Sequence, residues 1–211
     1  MSARAIPFKN GATATRLAVF DYGAGNLHSL VKAISAENRD VSVETDIRAA
    51  TKADVLVLPG VGAFGAAVGA MRNQQSYLRS ALSDGLPCLG ICLGMQLLLD
   101  ASDEGPGAGL GVIPGRVVRL ETPRVPHMGW NRIEGDDALL AGSGLQTAYY
   151  AHSFVCRPVN PEAVRAWTEH AGVRFPAMIR SGGVVGVQFH PEKSGAPGLS
   201  FLSAVIQEVG T

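Results

Sequence analysis

The chain has 211 residues, 46% hydrophobic and 17% charged, a globular composition that excludes a disordered chain. Its 18 basic and 18 acidic residues balance, leaving no broad basic field for nucleic acid or an anionic membrane. No apolar run approaches the ~18 residues of a membrane span, and three cysteines build no disulfide framework, which points to a reducing compartment such as the cytoplasm.

The opening segment, "MSARAIPFKNGATAT", lacks the apolar middle of a secretory signal and reads as a disordered leader over residues 1–14. Residues 15–211 are then expected to form one domain. Leu17–Phe20 reads as a buried strand, followed by the glycine-rich turn "DYGAGN". Leu27, Leu30, Val31 and Ile34 recur at helical spacing. Val41–Val43 and Asp54–Leu58 read as the second and third strands, the latter closed by Pro59-Gly60. Residues 64–84 carry one or two helices, Pro87–Ile91 a fourth strand, and Leu93 to about Ala101 a helix. Continuous apolar strands alternating with helices predict an α/β fold with a mainly parallel central sheet, flanked by helices on both faces.

The second half differs. Short β-like segments recur at Arg116–Leu120, Thr147–Val155, Val164–Thr168 and Val184–Phe189, and predict an added, smaller β region. Leu199, Leu202, Ile206 and Val209 form a closing helical stripe. There is no internal repeat.

Chemistry concentrates at "PCLGICLGMQLLLD", Pro87–Asp100. With Pro87–Ile91 extended, Cys88 and Cys92 lie up to about 13 Å apart, too far for a disulfide. Their spacing also matches neither C-x-x-C nor a usual zinc pattern, so no metal is expected. "GICLG", Gly90–Gly94, instead has the form of a nucleophile elbow with Cys in place of Ser, between a predicted strand and a predicted helix. The competing reading is a buried structural cysteine with incidental glycines.

A cysteine nucleophile needs a base and the base an orienting group. Of five histidines, His190 in "GVVGVQFHPEKS" stands at the carboxyl end of a predicted strand, where open α/β sheets bind ligands. Pro191 favours an extended His190, which would put Glu192 on the same face, able to fix the imidazole tautomer. A surface His-Pro-Glu turn is the plainer alternative. Oxyanion donors are expected from the Leu93 N–H and from the Gly60-Val61-Gly62 backbone after the third strand. Gln96, one helical turn after Cys92, would face the same cleft.

Together "PGVGAFG", "PCLGICLGMQLL" and "GVQFHPEKS" resemble, in order, the three main motifs of the class I (triad) glutamine amidotransferases, a flavodoxin-like family, and the match spans all but the leader. The resemblance implies Cys92 as nucleophile, His190 as base and acid, and Glu192 as orienting carboxylate. It implies an oxyanion hole from Gly60, Val61, Gly62 and Leu93. Gln96 and Glu104 would hold glutamine, and His152-Ser153-Phe154 would bind its amino-acid end through the backbone. Phe154 stands where relatives often carry Tyr.

"DYGAGNLHS" and "PHMGWN" are similar in particular to the glutaminase subunits of imidazole glycerol phosphate synthase. That likeness implies a heterodimer with a (β/α)₈-barrel cyclase that receives ammonia, with Asn26, His127, Trp130, Asn131 and Lys193 at the docking face. It implies no cofactor, and a chain that is a poor glutaminase alone, its Gly60–Gly62 strand rearranging when partner and nucleotide bind. The alternatives are a glutaminase subunit of another class I amidotransferase, a non-catalytic partner-binding relative, or a cysteine hydrolase acting alone on a small molecule. The last would need no docking motif, and a non-catalytic relative should lack a triad residue.

Overall fold

A computed structural model describes residues 14–23, 27–35, 39–71 and 74–210. The expected leader falls outside these residues except at residue 14, and Asn26 also lies outside them.

The first half runs β1 (Thr15–Phe20), α1 (His28–Ile34), β2 (Arg39–Glu44), α2 (Ile47–Ala50), β3 (Val55–Leu58), α3 (Phe64–Ala70), α4 (Gln75–Ser83), β4 (Cys88–Ile91) and α5 (Leu93–Leu97). There follow β5 (Ala101–Ser102), β6 (Gly115–Arg119), β7 (His127–Arg132), α6 (Ala138–Ser143), β8 (Thr147–His152) and β9 (Phe154–Pro158). The chain closes with β10 (Val164–His170), β11 (Val173–Ser181), β12 (Val184–Val187) and α7 (Gly195–Val209).

Among the described residues, seven strands form the central sheet in the order β10-β11-β12-β4-β3-β1-β2. From β12 to β2 every neighbouring pair is parallel, whereas β10 and β11 add antiparallel. Three strands of the second half therefore extend the central sheet rather than standing apart. The separate β region is smaller than the sequence suggested: the three-stranded β5-β6-β9 sheet and the two-stranded β7-β8 sheet.

Period-two alternation sends side chains to both faces of the sheet. Leu17, Val19, Val55, Val57, Leu89 and Ile91 meet Leu30 and Ile34 of α1 and Phe201, Leu202 and Val205 of α7. Ala18, Phe20, Leu56, Leu58 and Cys88 meet Phe64, Leu78, Met95 and Leu97 of α3, α4 and α5. Both faces are covered, which is why these strands read as unbroken apolar runs.

The helix expected to reach Ala101 stops at Leu97. A crossing loop takes its last carbonyls: Leu110 N–H donates to Leu97 O at 2.7 Å, and Val112 N–H to Leu98 O at 2.9 Å. Thr147–Val155, read as one strand, is two. β8 pairs with β7 and β9 with β6, and the chain changes sheets at Ser153. β11 went unread because Pro176 interrupts it. That proline lies where β11 has only β10 as a ladder partner, since pairing with β12 begins at Met178. Among the described residues no helix is long and apolar enough to cross a membrane.

Candidate active site

Strands β12, β4 and β3 are neighbours, so their carboxyl ends open side by side. β4 runs into Cys92, β12 towards His190 and β3 into Pro59-Gly60. Segments about thirty and a hundred residues apart are thus set next to one another by the ladder.

Cys92 has φ 48° and ψ −101°, a left-handed backbone that a non-glycine residue adopts only under constraint. The constraint is visible: its N–H donates to Val187 O at 2.7 Å, and its carbonyl accepts from Gln96 N–H at 3.1 Å. The flanking glycines allow the turn. A Cβ on Gly90 would lie 2.7 Å from the Gly94 backbone, and one on Gly94 only 2.0 Å from Leu58 O. Cys88 is a buried core residue of β4 on the opposite sheet face, and burial pushes its thiol up.

His190 is clamped by its backbone. Its N–H donates to Tyr149 O at 2.8 Å, and its carbonyl accepts from Ser194 Oγ at 2.6 Å. Its Nδ1 lies 2.8 Å from Glu192 Oε1, and the two side chains are 4% and 8% exposed. Glu192 reaches the ring differently from the extended run expected. Pro191–Lys193 forms one 3₁₀ turn, and Glu192 returns to its own N-cap residue. With Nδ1–H directed at a carboxylate, Nε2 is left for Cys92. Burial alone would lower the pKa of His190. Hydrogen bonds to Cys92 and Glu192 outweigh it and push the group up to about 9, which favours an imidazolium at neutral pH.

Gly60 packs against both partners: a Cβ there would lie 2.9 Å from His190 Cε1 and 3.1 Å from Cys92 Cβ. Its approach is anchored by a contact the sequence did not suggest. Tyr22, of the "DYGAGN" stretch, donates its buried hydroxyl to Pro59 O. Leu93 opens α5, where first-turn N–H groups lack helical acceptors.

A cleft of about 340 Å³ gathers Gly60, Val61, Gly62, Cys92, Leu93, Gln96, Glu104, His152, Ser153, Phe154, His190 and Lys193. Glu192 stands behind His190, outside it. Gln96 Nε2 donates to Phe154 O at 3.1 Å, which leaves its Oε1 as the acceptor for a ligand. Glu104 has Oε2 engaged by Phe64 N–H at 3.0 Å, at the start of α3. Ser153 O accepts from Leu120 N–H and Phe154 O also accepts from His152 Nδ1, so those two carbonyls are engaged within the chain.

The docking candidates separate. Met128 and Trp130, on one face of β7, are 64% and 59% exposed, and Met128 also lines the cleft. Lys193 is exposed above the Tyr149 ring. Asn131 is half-buried, its Nδ2 donating to Glu169 O at 2.7 Å. His127 is not a surface contact: it is 3% exposed, stacked between Tyr150 and His170 and bonded to His152. β7 alternates, so the residue beside an exposed Met128 must point inward. Burial holds His127 down to about 4 and His152 to about 3, both neutral at pH 7. Among the described residues no three His, Cys, Asp or Glu are arranged to hold a metal ion.

Residues 18–206 match the family described as glutamine amidotransferase class-I. The chain belongs to that family. This amidotransferase is 44% identical over 195 residues to the imidazole glycerol phosphate synthase subunit HisH of Methanothermobacter thermautotrophicus, covering 90% of this chain and 98% of that one. It is 44% identical over 203 residues to the HisH subunit of Halobacterium salinarum, covering 91% and 93%. Within the class I amidotransferases it therefore groups with the HisH subunits. Two solved structures share its fold at low identity. One described as a glutamine amidotransferase has TM-score 0.71 at 19% identity, covering 92% of this chain and 99% of that one. PurLQS from Thermotoga maritima has TM-score 0.71 at 17% identity over the same shares.

Reading the amidotransferase sequence missed Tyr22, taken as part of a turn, and Gln188, passed over inside an apolar strand. Gln188 is fully buried with Nε2 3.5 Å from Cys92 Sγ. A lone carboxamide in an otherwise apolar run was the available signal, because buried amides need partners.

Proposed function

We propose that this chain, one domain over residues 15–211, is the glutaminase half of a cytoplasmic imidazole glycerol phosphate synthase. A separate (β/α)₈-barrel cyclase subunit, docked over Trp130, Met128 and Lys193, receives its ammonia. Cys92 is the nucleophile, His190 the acid and base, and Glu192 the carboxylate that fixes the ring. The observation that carries this reading is the meeting, at three adjacent strand ends, of a strained cysteine and a buried histidine–carboxylate pair.

The Cys92 thiolate attacks the side-chain amide carbon of glutamine, and the oxygen becomes an oxyanion. Backbone donors at Gly60–Gly62 and Leu93 hold it; such a donor contributes about 2.7–4 kcal/mol. His190 passes its proton to the leaving nitrogen, the C–N bond breaks and ammonia departs. His190 then takes a proton from water, whose oxygen attacks the thioester. Collapse expels the Cys92 thiolate and releases glutamate. In the cyclase, ammonia joins the phosphoribulosyl-formimino-AICAR nucleotide to give imidazole glycerol phosphate and AICAR. The Gly60–Gly62 segment after β3 settles into its donating geometry on docking, so the chain alone hydrolyses glutamine slowly.

Cys92→Ser in the complex with the cyclase tests the assignment. Glutamine-dependent synthesis should be abolished while synthesis from added ammonia continues. Loss of both would show that Cys92 supports assembly rather than chemistry.

A further inference from the structure

Gln188 follows β12 and is fully buried. A carboxamide removed from water costs free energy unless its ends are bonded. Its Oε1 lies 3.5 Å from Gln96 Nε2 and its Nε2 lies 3.5 Å from Cys92 Sγ. The orientation follows from the acceptors. Phe154 O can only accept and takes Gln96 Nε2 at 3.1 Å, so Gln96 turns its nitrogen towards Gln188. Gln188 must then offer oxygen to Gln96 and nitrogen to the sulfur. Phe154 O is held in turn by His152 Nδ1 at 3.0 Å, whose Nε2 faces His127 Nδ1 at 3.0 Å. The donor at the sulfur is thus the end of a chain with one consistent set of proton positions.

We propose that Gln188 is a catalytic residue, a fixed neutral N–H donor to Cys92 Sγ that stabilises the sulfur whenever it carries charge. This rests on Cys92 being the nucleophile. His190 cannot fill the role throughout, since its proton leaves with ammonia and returns only from water. The Gln188 N–H neither titrates nor departs. It serves the attacking thiolate and receives the thiolate again when the second tetrahedral intermediate collapses. No covalent step is added to the reaction.

Among the described residues, the ionisable groups about Cys92 are His190, with Glu192 behind it, the buried Tyr22 and Cys156, and His152, Glu104 and Lys193 along the cleft. Burial raises both the Tyr22 hydroxyl and the Cys156 thiol. The test follows the rate of Cys92 alkylation by iodoacetamide against pH in the full chain, with the site located by peptide mass. It is paired with kcat and KM for glutamine hydrolysis in the complex. Gln188→Met keeps the bulk and removes the donor. Its alkylation inflection should rise by about one to two pH units, and its kcat fall about 10- to 100-fold with KM little changed. Gln188→Glu guards against a Met variant that does not fold. A carboxylate beside the sulfur should raise the inflection further. An unmoved inflection in a folded variant, or a loss confined to KM, overturns the proposal and leaves the nucleophile assignment standing. Wild-type chain whose Cys92 resists alkylation, or Cys92→Ser that still hydrolyses glutamine, overturns both.

Discussion

Glu192→Gln isolates the charge proposed to orient His190. The swap keeps an oxygen opposite His190 Nδ1–H, 2.8 Å away, and removes the negative charge in a pair almost closed to water. A hydrogen bond to a charged group contributes about 1.5–3 kcal/mol and a neutral one about 0.5–1.5, so the loss is about 1 kcal/mol. In the native chain the hydrogen bonds to Cys92 and Glu192 push His190 up to about 9 against the effect of burial. At 1.36 kcal/mol per pH unit the variant should titrate near about 8. The native value lies above that of an ordinary histidine. The interactions of His190 with Cys92 and Glu192 together therefore stabilise the fold fully below about pH 6.5, and that contribution is lost as pH rises through about 9. The variant's new amide nitrogen falls where Glu192 Oε2 is buried without a hydrogen-bond partner, which adds a cost independent of pH. The diagnostic is therefore the change in the stability gap with pH. Denaturant midpoints should show it narrowing by about 1 kcal/mol between pH 6 and pH 10. Imidazole NMR should show the lowered titration directly. A gap constant with pH, together with an unmoved His190 titration, would refute the electrostatic role and leave Glu192 as packing.

Gly94→Ala puts a Cβ 2.0 Å from Leu58 O, backbone against backbone, and should cost about 2–3 kcal/mol or more in denaturant unfolding, with glutaminase activity lost in the folded fraction. Normal activity and stability would mean the elbow can be rebuilt. Trp130→Ala removes an exposed ring from the proposed docking face. It should weaken cyclase binding about 10-fold or more by calorimetry while leaving the chain's own thermal stability within a few degrees.

Much of the site was legible because its residues are locally marked. Glycines around Cys92 announce a close backbone approach. His190 at a strand's carboxyl end, with Glu192 two residues on, announces a base with its carboxylate, although the 3₁₀ turn that joins them reads in the sequence as extended chain. The α/β rhythm was legible because strands covered on both faces leave continuous apolar runs. What escaped depended on tertiary context. β7 mixes glycine, polar and aromatic residues because one of its faces is left exposed, and β11 contains a proline. The "PHMGWN" resemblance places His127 at the docking face, yet strand alternation turns it inward. Gln188 and Tyr22 act through atoms far away in the chain, and no local spacing reveals those contacts.

The pairing of β12 with β4 joins Val184 to Cys88, nearly a hundred positions apart. Closing so wide a loop is entropically costly and slow relative to local contacts. The elbow residues are made long before the base. Until β12 inserts beside β4, Cys92 has neither His190 nor the Val187 carbonyl that holds its backbone in the left-handed region. Glutamine-hydrolysing capacity is therefore a property of the finished sheet, absent from a half-assembled chain.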